Sequence, residues 1–197
     1  ITGLREGQGK EVFASGLKYS GNWWAGQRHG SGRATTADGG EYDGNWEFGK
    51  RHGRGVRRYV DGSMYDGEFM AGRKHGLGMA INLVKGTVYS GEYAHGVMHG
   101  KGRLIWSESG DVYSGTFERG KQHGNGIFTS AAGITQKGQW IMGKLSQNNY
   151  DGGTAFLADK TASALITSVF NDVIAQFKQS APNMSDSDSE DGLETIV

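Results

Sequence analysis

The chain has 197 residues, 35 of them glycine, one proline and no cysteine, with 21 Lys+Arg balancing 21 Asp+Glu. That length suits one domain with a real core or an extended array, and the missing cysteines exclude a disulfide framework and a thiolate zinc site. No apolar run reaches the ~20 residues of a membrane-spanning helix, and the opening ITGLREGQGK does not read as a signal peptide. A soluble, cytoplasmic chain is expected. The neutral balance hides a split, because residues 1–145 carry 19 Lys+Arg against 13 Asp+Glu and residues 146–197 carry 2 against 8.

From the N-terminus the chain repeats itself. Tyrosines 19, 42, 65, 89 and 113, with Gln136 in the sixth register, stand 23 or 24 residues apart. Counting each tyrosine as position one, position three is always glycine, position five an aromatic (Trp23, Trp46, Phe69, Tyr93, Phe117, Trp140) and position eight glycine. Position eleven opens His-Gly-x-Gly at His29, His52, His75, His99 and His123. Gly3 and Glu6-Gly7-Gln8-Gly9 fit the same register, with Glu6 in the histidine's place. The chain opens inside a unit and without Met, so further repeats or another domain are expected upstream.

Such periodicity signals units that bury their apolar faces against one another. Tyr-x-Gly-x-Trp alternates with period two, placing both rings on one strand face with a bare glycine between them. The eighth-position glycine supplies a positive φ for a short loop, and Asp38-Gly39, Asp61-Gly62, Gly86, Gly110 and Gly133 mark the turn closing each unit. The one-residue insertions of units three and four fall just before that turn. The expected fold is all-β: an elongated, curled, single-layer antiparallel meander of hairpins over 1–145, in about a dozen strands.

Y-x-G-x-W-x-x-G-x-x-H-G-x-G at this period resembles the MORN repeat, in five full units and two partial ones. The resemblance implies the hairpin fold and a scaffold deployed in many settings, among them radial-spoke heads and self-associating structural proteins. It also implies a phospholipid-binding alternative, and relatives exist in which such repeats regulate an attached enzyme domain.

The recurring histidine invites a metal reading. Equivalent positions two strands apart are ~9–10 Å distant, whereas shared ligands must each approach one ion within about 2.1 Å. Packing at a loop end is expected instead, with no metal and no cofactor. Gly115 to Lys121, like Gly44 to Lys50 and Gly138 to Lys144, mimics the G-x-x-x-x-G-K of a P-loop. The magnesium-binding Ser/Thr is missing (Gln122, Arg51, Leu145), and a strand there feeds a hairpin instead of a helix. No nucleophile stands beside a base, so a non-catalytic chain is expected.

Two candidate surfaces follow. Positions nine and ten read Gln27-Arg28, Lys50-Arg51, Arg73-Lys74, Val97-Met98 and Lys121-Gln122. Arg28, Lys50, Arg51, Arg73, Lys74 and Lys121 are expected to line one edge as a row of basic tips, where an anionic leaflet would contribute ~1 kcal/mol per charge. The alternative is a solvated rim that resists aggregation. Without interleaved stacking sites, nucleic acid is not expected. The Tyr/Trp ladder is expected to be core, while Phe13, Tyr59 and Trp106 share a register on the returning strands. They are candidate anchors for a partner, such as a helix on the concave face.

After the array, residues 146–158 read as a linker. Residues 159–178 switch to helical period with an apolar stripe that includes Leu165, Val169, Phe170 and Val173, expected to cap the array or dock on another subunit, self-association included. Residues 179–197 form an acidic tail, disordered by composition, in which Ser185 and Ser187 have acids three residues on. Its last residues, Thr195 to Val197, resemble a PDZ-domain ligand. The function expected is a scaffold that organises protein partners at the cytoskeleton, a ciliary axoneme or a membrane–cytoskeleton junction.

Overall fold

Alternation of ring, glycine and ring at period two commits each unit to two strands, and the computed structural model shows them over the residues it describes, 3–148. The strands are β1 (Gly7–Val12), β2 (Lys18–Trp24), β3 (Gln27–Thr35), β4 (Glu41–Glu47), β5 (Lys50–Arg58), β6 (Met64–Met70) and β7 (Arg73–Asn82). They continue as β8 (Thr87–Ala94), β9 (Val97–Trp106), β10 (Val112–Glu118), β11 (Lys121–Thr129), β12 (Thr135–Ile141) and β13 (Lys144–Asn148). All 13 form one open antiparallel sheet in sequence order, the expected meander. β13 carries the sheet past the Leu145 boundary. The helix expected over 159–178, with Leu165, Val169, Phe170 and Val173, lies outside the described residues, as do the acidic tail and the PDZ-like terminus.

Glycines pair with glycines on every strand from β1 to β12: Gly9, Gly21, Gly32, Gly44, Gly55, Gly67, Gly78, Gly91, Gly102, Gly115, Gly126 and Gly138 stand opposite one another in a single transverse row. The ladder tyrosines lie over this bare line. A Cβ at Gly67 would stand 2.6 Å from the Tyr65 hydroxyl and 2.5 Å from the Gly78 backbone, so only glycine lets the ring settle on the sheet.

Among the described residues there is no second layer, and the core is built on the sheet's own face. Each tyrosine ring meets the position-five ring of its own unit and that of the next, edge to face. One zigzag runs from Trp23 through Tyr19, Trp46, Tyr42, Phe69, Tyr65, Tyr93, Tyr89, Phe117 and Tyr113 to Trp140, with centroids 5.0–5.3 Å apart. Such pairs contribute roughly 0.5–1.5 kcal/mol each beyond the area they bury. The hydroxyls of the ladder tyrosines and the indoles of the zigzag are satisfied: Tyr65 Oη donates to the Glu68 carbonyl at 2.9 Å and Trp46 Nε1 to the Gly32 carbonyl at 2.8 Å. Burial pushes the Tyr42 and Tyr113 hydroxyls up to about 12.

Two kinds of turn form the two long edges. On one edge, positions seven and eight make two-residue turns with both φ values positive, as at Ala71 (50°) and Gly72 (84°), the pattern of a type I′ hairpin. The glycine of this pair was expected. Its partner is a non-glycine residue in every unit: Ala25, Phe48, Ala71, His95, Arg119 and Met142. On the other edge, a glycine-bearing loop closes each unit, with Asp-Gly at Asp38-Gly39 and Asp61-Gly62, and the two insertions lengthen it at Leu83–Gly86 and Ser107–Gly110.

Candidate interaction surface

In β3, Arg28 pairs with Trp23 and Gly32 with Gly21, so His29-Gly30-Ser31 bulges opposite the single residue Asn22. Gly30 has φ 64°, and its equivalents Gly53, Gly76, Gly100 and Gly124 repeat it. The histidine therefore marks a bulge. His29 packs on Trp24 and Phe48, while His52 Nδ1 lies 2.9 Å from Glu47 and His123 Nε2 3.4 Å from Glu118. Among the described residues, no three His, Asp or Glu side chains converge on a metal-sized site. The P-loop-like stretch Gly115 to Lys121 runs from β10 through a two-residue turn into β11.

The basic positions do not form one row. Neighbouring residues of a strand point to opposite faces, and position ten pairs directly with the core aromatic of position five, as Arg28 does with Trp23. Arg28, Arg51 and Lys74 accordingly lie on the aromatic face. Lys50, Arg73 and Lys121 project exposed from the other.

Each position-ten cation covers a ring of the following unit. Arg5 lies over Trp23 at 5.0 Å, Arg28 over Trp46 at 4.3 Å, Arg51 over Phe69 at 5.4 Å and Lys74 over Tyr93 at 5.7 Å. Sequence reading missed Arg5, whose unit is truncated, although it stands 23 residues before Arg28. Arg51 also donates to the Gly72 carbonyl at 2.8 Å. Burial lowers the pKa of Arg28, Arg51 and Lys74, and the charges of Arg57 and Arg51 push Lys74 down further.

Phe13, Tyr59 and Trp106 do share the aromatic face, beside the loop edge. Each stands four strands from the next, ~19 Å at ordinary strand spacing, and each has a different neighbourhood. Phe13 stacks on Trp23 at 6.3 Å, Tyr59 sits beneath Arg57 at 4.9 Å and Lys74 at 5.6 Å, and Trp106 meets Phe128 at 6.2 Å.

The face therefore has two characters. Position ten runs Arg28, Arg51, Lys74, then Met98 and Gln122; position sixteen, opposite each tyrosine, runs Ala34, Arg57, Ala80, Leu104, Phe128. The early units present cations. In the later units Met98, Trp106 and Phe128 pack, partly buried, around the core. The signal for this gradient lay in positions ten and sixteen read as columns down the repeats.

A MORN-repeat family model matches residues 3–18, 19–41, 42–64, 65–80, 89–110 and 113–135. The chain belongs to the MORN-repeat family. The MORN match leaves out residues 81–88, which hold one lengthened loop. MORN repeats typically build protein- or membrane-interaction modules and are generally non-catalytic. Comparison with curated proteins returned no match.

A second MORN surface was not foreseen. Along the tight-turn edge, Trp24 (51% exposed) and Phe48 (53%) meet each other with centroids 5.6 Å apart. Met70, Val97, Ile141 and Met142 continue the exposed apolar line, with Lys50, Arg73 and Lys121 beside it.

Proposed function

We propose that this MORN array is a scaffold that holds a protein partner along its aromatic face, with Trp106 and Phe128 as the apolar anchors. The observation that carries the reading is the pair itself: two large rings, partly buried, in contact where both registers carry a ring, whereas the register of Trp106 otherwise holds Phe13, Thr36, Tyr59, Asn82 and Ser130 and that of Phe128 holds Ala34, Arg57, Ala80 and Leu104. Large aromatics at the centre of a contact supply most of its binding energy. The setting proposed is the cytoskeleton, an axoneme or a membrane–cytoskeleton junction, in keeping with where related scaffolds occur. The test is recovery of a partner from native extract by the wild-type chain and by Trp106→Ala/Phe128→Ala. The reading expects a band held by the first and lost by the second at an unchanged melting temperature; equal recovery overturns it.

A second reading, a peripheral module for anionic lipid, is favoured by the tight-turn edge, where exposed rings stand beside cations as an interfacial surface requires. Of the six cations first considered, Lys50, Arg73 and Lys121 serve it, whereas Arg28, Arg51 and Lys74 face the core rings. Co-sedimentation with phosphatidylserine vesicles should be strong for wild type and at least tenfold weaker for Trp24→Ser/Phe48→Ser. No pelleting of wild type at low salt would end this reading.

A further inference from the structure

Arg57 breaks the pattern of its register. Position sixteen holds Ala34, Ala80, Leu104 and Phe128 in the other full units, directly opposite a ladder tyrosine, and unit two places a guanidinium there, between Tyr42 and Tyr65. It joins Arg51 from its own unit and Lys74 from the next. Arg57 and Lys74 flank the Tyr59 ring at 4.9 and 5.6 Å. Among the described residues none of Arg28, Arg51, Arg57 and Lys74 has a carboxylate within ion-pair distance; Glu11 and Asp38 act on Arg28 and Arg57 only through space. Burial lowers the pKa of Arg51 and Lys74, and beyond burial Arg57 and Arg28 push Arg51 down while Arg57 and Arg51 push Lys74 down. Like charges gathered on a half-buried face, each raising the cost of the others, are stabilised by an anion that reaches them together.

We propose that this cluster, Arg51, Arg57 and Lys74 around Tyr59 with Arg28 beside it, is the docking site of the chain's own acidic segment Ser185–Asp191. That segment, SDSDSED, carries Asp186, Asp188, Glu190 and Asp191, and no Lys or Arg follows Lys178. The charge signs match. The span also suffices: from β13 to β6 is seven strand spacings, ~34 Å, and residues 149–184 reach up to ~120 Å extended. A helix over 159–178 would shorten this to ~80 Å, still twice what is needed. Tethering makes the contact intramolecular, so even weak pairings act at an effective concentration near millimolar. The segment would cover the cationic half of the aromatic face and leave the Trp106 half open. The inference does not depend on the scaffold reading.

The test uses a fluorescein-labelled peptide of residues 183–197, titrated into two full chains, wild type and Asp186→Asn/Asp188→Asn/Glu190→Gln/Asp191→Asn. The neutralised chain should bind the peptide at least tenfold more tightly than wild type, whose own segment competes. Adding Arg57→Glu to the neutralised chain should weaken binding at least tenfold; Arg57 is chosen because, unlike Arg51, it holds no backbone carbonyl among the described residues, and an unchanged far-UV spectrum will show that the sheet persists. Lys50→Glu/Arg73→Glu, on the opposite face, should change it less than twofold. Equal affinity of wild-type and neutralised chains would overturn the proposal, leaving a site for acidic segments of other proteins. So would an Arg57→Glu titration that matches its parent, or a loss as large from Lys50→Glu/Arg73→Glu.

Discussion

Arg28 and Gly49 hold each other twice: the Gly49 N–H donates to the Arg28 carbonyl at 2.9 Å, and the Arg28 guanidinium donates to the Gly49 carbonyl at 2.8 Å. The same side chain lies 4.3 Å from the Trp46 ring. One residue thus ties the β2–β3 hairpin to the turn of the next unit. Arg51 and Gly72 repeat the arrangement, at 2.8 Å in both directions.

Arg28→Ala removes the ring contact and the bond to Gly49 and should cost about 1–2 kcal/mol. Arg28→Met should recover about half, because Met98 fills the equivalent position and keeps the packing. Urea midpoints of the three proteins measure the series. Equal midpoints for alanine and arginine would show the double contact to be idle.

Gly78 and Gly72 separate two reasons for being glycine. A Cβ on Gly78 would meet three atoms of the Tyr65 side chain, Cζ at 2.6 Å among them, whereas Gly72 has open space but φ 84°. Gly78→Ala should therefore cost ~3 kcal/mol by overpacking, and Gly72→Ala ~1–2 kcal/mol by backbone strain alone. In a Tyr65→Leu background the Gly78→Ala cost should shrink by at least ~1 kcal/mol while the Gly72→Ala cost stays put. Thermal melts of the double mutants decide it.

The tight turns sit in a conformation that their first residues dislike. Ala71→Asn supplies a residue that tolerates φ near 50° and should raise stability by ~0.5 kcal/mol. Phe48→Asn should do likewise and remove an exposed ring. If the edge meets membranes, Phe48→Asn gains in melting temperature and loses vesicle binding together, a trade-off that differential scanning calorimetry and co-sedimentation expose side by side.

Alkaline pH should unfold the array from the ladder outward. Burial raises the folded pKa of Tyr42 and Tyr113 from 10.0 to about 12, and it raises Tyr19, Tyr65, Tyr89 and Tyr93 as well. A raised folded pKa means that the unfolded chain gives up its proton first. The stabilisation is complete below pH 10 and is lost as pH rises toward 12. Chemical denaturation between pH 8 and 11.5 should show a flat region followed by a fall, and Tyr113→Phe should lessen the slope by about one proton. A profile flat to pH 11.5 would contradict the burial of the ladder hydroxyls.

Much of this architecture was legible because the repeat states each rule six times. Tyr65, Gly67 and Phe69 announce strand, face and close approach through spacing alone, and the inserted residues of units three and four were placed in the right loops. The cations were misplaced for a definite reason: Lys50 and Arg51 are adjacent in sequence, but the two-residue turn ends at Gly49, so both lie in β5 and its alternation sends them to opposite faces. Arg57 reads from sequence only as an extension of the basic patch, because its particular meaning lies in contrast with Ala34, Ala80 and Leu104, a comparison across units. The turn residue at position seven was hidden by its variety, since Ala25, Phe48, His95 and Met142 share a backbone angle and nothing in their side chains.

The glycine row has one more implication. A single residue inserted between Gly67 and Gly78 would throw a ring or a charge onto the line where Tyr65 lies, so length changes there are confined to whole units, while the loops on the opposite edge accept one residue at a time. The array therefore grows in indivisible steps of two strands, ~9–10 Å each. It is a graduated ruler: the distance between two bound objects is fixed by counting units, and duplicating or deleting one unit of the gene would move them apart or together by one tick.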